Sequence, residues 1–219
     1  MGHTPGMRRR RSDPPLVAAA RRGGVTDRRI LAALAAVPRE RFVPPLHRAE
    51  ADLDRPIPIT EGQTTSQPSL IALMLSALEL TGEEKVLEIG TGYGYQAALL
   101  AHLAAEVHTI ERFPRLASRA RENLAACGLD RVHVAVGDGT RGLPEHAPFD
   151  AVVIAAAAAE VPPVLAEQVV EGGRVVAPVG STGHQDVVVY AVRDGQLVPV
   201  RHLTGARFVP LVPEDDAED

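Results

Sequence analysis

The chain has 219 residues and a formal net charge of −5, with 45% apolar, 23% charged and only 3% aromatic residues. That length suits one α/β domain with its own core, and the apolar to charged balance excludes a disordered chain. No run approaches the roughly 18 apolar residues of a membrane-spanning helix, and the acidic balance points away from nucleic acid as a partner.

The N-terminus carries Arg8 to Arg11, the apolar stretch Leu16 to Ala20, then Arg21 and Arg22. Five apolar residues fall short of the roughly 7 to 15 of an export signal, so residues 1–24 are expected to form a flexible basic arm. Thr26 is expected to cap a helix over Asp27–Val37, with Ile30, Leu31, Leu34 and Ala35 on one face and Pro38 past its end. An extended, Pro-rich stretch runs from Pro44 to Pro58. Pro68 then opens an apolar helix, Leu70–Leu80, that Thr81 and Gly82 close.

From Lys85 onward the pattern alternates. Strands are expected at Lys85–Ile89, Glu106–Ile110, Val132–Val136, Ala151–Ile154 and Arg174–Val179, with helices at Gln96–Leu103, Arg115–Ala126 and Val161–Val170. This order implies an α/β fold with a doubly wound parallel sheet. Val187–Val192 and Leu197–His202, joined through the turn pair Asp194-Gly195, should add antiparallel strands at its C-terminal side. Residues 25–212 then form a single domain and 213–219 an acidic tail.

Residue usage removes several chemistries. Lys85 is the only lysine among 23 lysines and arginines and follows Glu84, so no phosphate cradle of the GxxxxGK[ST] type exists. ATP hydrolysis and pyridoxal chemistry are disfavoured with it. Cys127 is the single cysteine, expected as a buried helix residue, which excludes an intramolecular disulfide and fits a reducing cytoplasm. The eight histidines show no i, i+4 pair, so scattered roles and no metal site are expected.

The most informative turn follows the first strand. Val86, Leu87, Glu88 and Ile89 run into Gly90, Thr91, Gly92, Tyr93 and Gly94, where glycines permit a tight turn and close backbone approach of a ligand. About 20 residues later Glu111 ends the second strand, where a carboxylate can accept from two ribose hydroxyls. Gly92, Gly94 and Ala97 alone also satisfy a dinucleotide fingerprint, leaving a nicotinamide cofactor open. Three features favour a different adenosine ligand. Glu88 precedes the loop, suited to a positively charged amino-acid moiety. Gly137, Asp138 and Gly139 close the third strand with a carboxylate for an adenine amino group. Glu171 to Arg174 form a glycine turn between the last helix and its strand. Together they resemble class I S-adenosyl-L-methionine-dependent methyltransferases of Rossmann-like fold. After the fourth strand stands Ala155 to Ala158 rather than the Asp/Asn-Pro-Pro-aromatic element of base-amine methylation. Asp13-Pro14-Pro15-Leu16 lies in the tail and lacks the aromatic.

Gly62-Gln63-Thr64-Thr65-Ser66-Gln67-Pro68 narrows the resemblance. It is similar to the GQTxSQP segment of the protein-L-isoaspartate O-methyltransferase family. Val37 to Pro44 (VPRERFVP), Val86 to Ala98 (VLEIGTGYGYQAA), Gly137 to Gly139, Phe149 to Ile154 and Arg207 to Leu211 (RFVPL) follow in the family's order. The resemblance implies that Ser66 is the active-site serine and that Thr64, Thr65 and Arg207 meet the substrate. It implies a cofactor shell of Glu88, Gly90, Thr91, Gly92, Gly94, Glu111, Gly137 and Asp138. The implied substrates are isoaspartyl-containing proteins or peptides, methylated in the cytoplasm by a monomer without metal, membrane or nucleic acid. Local sequence alone allows Ser66 a second role, capping the helix that Pro68 opens. Thr60, Glu61, Ala155, Ala159 and Val212 depart from the family's usual residues. They leave open a carboxyl methyltransferase dedicated to one aspartyl or isoaspartyl biosynthetic peptide, as well as a cofactor-binding regulator without catalysis.

Overall fold

The computed structural model describes residues 12–181 and 183–213. Seven strands form the main sheet: β3 (Lys85–Ile89), β4 (Glu106–Glu111), β5 (Val132–Val136), β6 (Phe149–Ile154), β7 (Val169–Ser181), β8 (His184–Arg193) and β9 (Gln196–Ala206). Their spatial order is β5-β4-β3-β6-β7-β8-β9. The first four pairings from the β5 edge are parallel, and β7–β8 and β8–β9 are antiparallel. Asp194 and Gly195, both at positive φ, make the turn between β8 and β9. A small hairpin, β1 (Ile57–Pro58) with β2 (Thr64–Thr65), stands apart from this sheet.

Successive strand residues point to opposite faces, and both faces are buried here. Val86, Val107, Val153 and Val176 meet all five helices: α1 (Pro15–Arg22), α2 (Arg28–Ala36), α3 (Pro68–Ala77), α4 (Tyr95–Leu100) and α5 (Pro114–Ala125). Leu87, Ile89, Val152, Ile154 and Val175 line the other face, where Leu143 and Leu165 pack from short 3-10 segments. The helix expected at Val161–Val170 is one of these, Pro163–Gln168. Pro162 and Pro163 restrict its start, and from Val169 the chain already pairs with Phe149. Glu171 to Gly173, expected as a turn, are a bulge inside β7, where the register shifts. A Cβ on Gly173 would stand 2.8 Å from the Asp150 carbonyl.

Two N-terminal expectations change. Residues 15–22 are not part of a loose arm, because Leu16, Val17, Ala19 and Ala20 are buried and α1 packs on α3. Four apolar residues suffice when they share one helical face. Residues 1–11, including the arginine cluster, and the acidic residues 214–219 lie outside the described residues. The cap of α2 is Asp27, whose carboxylate accepts from the Arg29 N–H at 2.7 Å, not Thr26. Cys127 lies just past the end of α5 and is half-buried. Among the described residues no helix is long and apolar enough to cross a membrane.

Candidate active site

The C-terminal ends of β3 and β4 carry the site, as the open-sheet topology favours. Gly90, Gly92 and Gly94 all take positive φ, which L side chains rarely adopt. Gly90 and Gly92 line a cleft with Thr91, but Gly94 does not. A Cβ on Gly94 would point at Ala120 and Leu124 of α5, 3.4 Å away, so this glycine serves close helix packing.

Two carboxylates floor the cleft. Glu88 is fully buried, and its Oε2 accepts from Thr109 Oγ1 at 2.6 Å. Thr109 spends its one proton there, so Thr91 Oγ1, also 2.6 Å away, donates to Thr109. Burial pushes the Glu88 carboxyl up to about 8, against the Thr109 bond and the nearby Gln96 amide and with help from the Glu111 charge. Glu111 accepts from the Gly92 N–H at 2.8 Å and the Phe113 N–H at 3.0 Å, which fastens the glycine loop to β4. Burial raises its pKa too, opposed by those N–H groups.

Tyr95 Oη is buried in the cleft lining with no hydrogen-bond partner, and Glu88 Oε1 and Gln96 Nε2 lie beside each other without closing a bond of good geometry. A buried acceptor and buried donors left unpaired mark a place built for a polar ligand. The third strand's contribution is shifted by one or two residues from the expectation. Gly139 lines the cleft, and a Cβ there would stand 2.4 Å from Ile89 Cγ2. Asp138 caps the adjoining 3-10 turn by accepting from the Thr140 N–H and hydroxyl at 2.8 and 2.7 Å. Gly137 packs toward Ile110.

The opposite wall comes from β2 and the segment after it. Thr64, Thr65 and Ser66 line the cleft, and Thr64 and Ser66 also line a groove against the end of β9, with Gln67, Leu70, Arg207 and Phe208. Cleft and groove therefore meet at Thr64, Ser66, Ala155 and Val209. Arg207 is exposed and belongs to the groove, not to the cleft.

Ser66 does not cap α3. The Ser69 N–H donates instead to Asp54 Oδ1 at 2.8 Å, and Ser69 Oγ and Gln67 Nε2 donate to Asp54 Oδ2 at 2.8 and 2.9 Å. Arg39, 2% exposed, buttresses this wall: its guanidinium donates to the carbonyls of Ala51, Leu53, Arg55 and Ser66 and lies over the Tyr95 ring. Burial lowers the Arg39 pKa from its ordinary value. The hairpin turn of β1 and β2 runs Thr60 to Gln63 with Glu61 and Gly62 both at positive φ.

The roof comes from the C-terminal segment. The Ala157 N–H donates to the Val209 carbonyl at 2.8 Å, the Leu211 N–H to the Ala157 carbonyl at 2.7 Å, and Arg112 Nη1 to the Val212 carbonyl at 2.8 Å. Tyr93, Tyr95, Gln96, Arg112, Phe113 and Val209 to Val212 all line the cleft beyond the expected set. Tyr93, Tyr95, Gln96 and Val209 to Leu211 lie in segments that carry the family resemblance, whereas Arg112 and Phe113 had no signal.

A model of the family described as protein-L-isoaspartate(D-aspartate) O-methyltransferase matches residues 11–216. The chain belongs to this family. A protein-L-isoaspartate O-methyltransferase of Methanoculleus marisnigri is 51% identical over 189 residues, 86% of each chain. One of Geobacter metallireducens is 51% identical over 190 residues, 86% of this chain and 88% of the relative. A solved protein-L-isoaspartate O-methyltransferase superposes with a TM-score of 0.79 at 30% identity, covering 89% of this chain and 64% of that longer one. A Plasmodium falciparum chain solved in complex with S-adenosyl-L-homocysteine shares the fold at 21% identity, with a TM-score of 0.79 over 93% of this chain and 99% of that one. This chain and the solved protein-L-isoaspartate O-methyltransferase therefore share one fold over most of this chain.

Proposed function

We infer that this protein transfers the methyl group of S-adenosyl-L-methionine to the α-carboxylate of L-isoaspartyl residues in damaged proteins and peptides, the first step of their repair. The observation that carries the reading is the junction at Ser66, where a cleft with unpaired buried polar groups opens into a groove wide of it.

The residues fit the cofactor. Glu88, with Thr91 and Thr109 behind it, would hold the charged amino-acid moiety; Glu111 would accept from the ribose; Gly90 and Gly92 would give the backbone room. Gly139 would border the adenine, with Gly137 and Asp138 shaping the turn behind it. S-adenosyl-L-methionine supplies an electrophilic methyl on a sulfonium, so neutralising Glu88 and Glu111 removes attraction for a cationic ligand.

The acceptor needs no general base. A carboxylate of pKa near 4 is ionised at neutral pH, and its nucleophilic oxygen already carries a lone pair and charge. The chain's work is placement and exclusion of water. In this reading the Ser66 hydroxyl, spared from capping by Asp54, donates to one carboxylate oxygen. Thr64 and Thr65 flank it, and Arg207 in the groove attracts the acidic peptide. Arg39 acts behind Ser66 as a positioning residue. The backbone amide nitrogen of the following residue then attacks the ester carbonyl, its proton leaves with the methoxy group as methanol, and a succinimide forms without further help from the protein.

We place the enzyme in the cytoplasm, where its single cysteine stays reduced, acting as a monomer; sedimentation velocity checks the latter. Incubating aged, isoaspartyl-containing protein with the enzyme and S-adenosyl-L-methionine should lower its isoaspartyl content. Unchanged content, with methylation of only one defined cyclic peptide, would favour a dedicated biosynthetic enzyme instead.

A further inference from the structure

The histidines expected to be scattered are not all so. β5 is the edge strand, and in its parallel pairing with β4 His133 lies directly across from His108. Glu106, two residues before His108, falls on the same face of β4. His108 Nε2 stands 2.5 Å from Glu106 Oε1, the His108 and His133 ring centroids are 4.9 Å apart, and one ligand atom of each residue lies within 4.8 Å of the others. We propose that Glu106, His108 and His133 form a binding site for a divalent ion of the zinc class, which pins the edge strand to the sheet. None of the three lines the cleft or the groove.

The donor set selects the ion. Two imidazoles and one carboxylate suit zinc, whereas calcium and magnesium prefer all-oxygen shells. At zinc–ligand distances near 2.0 to 2.1 Å, tetrahedral donors stand about 3.3 Å apart, so the widest gap must close by no more than about 1.5 Å. The side chains that must move are able to. His133 is exposed and Glu106 half-exposed, while His108, 3% exposed, is the fixed member. His146 stacks on His108 at 4.4 Å, and the Phe149 ring meets it edge-on at 5.8 Å, which sets the plane of the imidazole. His108 Nδ1 is buried with no partner, so the protein does not hold this ring by hydrogen bonds on both sides. Lys85 Nζ, 3.9 Å from Glu106 Oε1, is the competing cation, a single charge on a flexible stem that can swing away.

The place explains the benefit. Of β5 only Val132 is buried, and the strand runs on into Gly137 to Gly139 at the cleft wall. Val134 and Ala135 pack only partly buried against the core, so an ion held by ligands from both β4 and β5 adds a link to this edge.

The test titrates the untagged full-length chain with Co2+, then with Zn2+ in competition. One Co2+ per chain should bind with the intense visible absorption of a tetrahedral site, be displaced by Zn2+, and Zn2+ should raise Tm. His133→Ala and Glu106→Gln, at solvent-open positions that tolerate change, should each weaken binding about ten-fold or more and remove the Tm rise. His202→Ala, an exposed histidine on β9, should alter neither. Failure of the wild-type chain to saturate with either ion, or binding that survives His133→Ala and Glu106→Gln unchanged, overturns the proposal.

Discussion

Ser66 and Asp54 can be separated by substitution, because the structure gives one the cleft and the other the helix end. Asp54 accepts three hydrogen bonds at the start of α3, from the Ser69 N–H, Ser69 Oγ and Gln67 Nε2. Asp54→Ala removes the only side-chain acceptor found for that helix's first N–H groups among the described residues, a loss of about 1–2 kcal/mol by analogy with N-cap substitutions. For a domain of this size that corresponds to a fall in Tm of about 2–4 °C per kcal/mol. Ser66→Ala removes no capping bond, so its stability should stay within about 0.5 kcal/mol of the parent. Its turnover should fall about ten-fold or more, equivalent to about 1.4 kcal/mol of lost transition-state placement. Ser66→Asp should be worse, because a fixed negative charge at the junction repels the incoming carboxylate. Thermal melts and labelled methyl transfer, with adenosylhomocysteine affinity as a control, read both axes. A Ser66→Asp protein with normal cofactor affinity and near-normal transfer would refute the reasoning, as would a Ser66→Ala protein that loses stability but keeps its rate.

Three other outcomes are expected. Glu111→Ala should weaken adenosylhomocysteine binding by about 1.5–3 kcal/mol, with Glu111→Gln intermediate, as calorimetry on the folded variants would show. For Glu88, whose folded pKa of about 8 lies above the ordinary 4.5, the unfolded chain binds fewer protons between those values. Stability of the ligand-free protein should therefore fall as pH rises through that window and level off above it, and Glu88→Gln should flatten the slope seen in melts across pH. Glu61, at φ 56 in the hairpin turn, pays for a left-handed backbone that asparagine tolerates better, so Glu61→Asn should raise stability by up to about 1 kcal/mol in denaturant titrations.

Local signals in the sequence survived folding, and features that depend on distant partners did not. The run VLEIGTGYG announces a buried strand entering a glycine turn, and both acids that floor the cleft sit at strand positions that can be counted from it. Gly94 reads like its neighbours in sequence, yet it faces Leu124 of α5, a contact visible only once that helix is laid down. Ser66 and Asp54 are twelve residues apart, and no local rule tells which one caps a helix when the chain between them doubles back through a hairpin. The stretch Leu16 to Ala20 looks like a tail because arginines flank it, but Leu16, Val17, Ala19 and Ala20 are buried where α1 packs on α2 and α3. His108 and His133 lie 25 positions apart and meet only through strand register. The cleft roof is held at Val209 and Leu211 through backbone bonds to Ala157, which side-chain identity does not encode, and at Val212 by the distant Arg112.

The most direct test of the account presents two synthetic peptides of one sequence, differing only in an L-isoaspartyl or a normal aspartyl linkage, with labelled S-adenosyl-L-methionine. Base-labile label is expected on the isoaspartyl peptide and none above background on its isomer, with Ser66→Ala reducing the former about ten-fold or more. Equal labelling of both isomers, or none of either by a folded protein that binds adenosylhomocysteine, would contradict it.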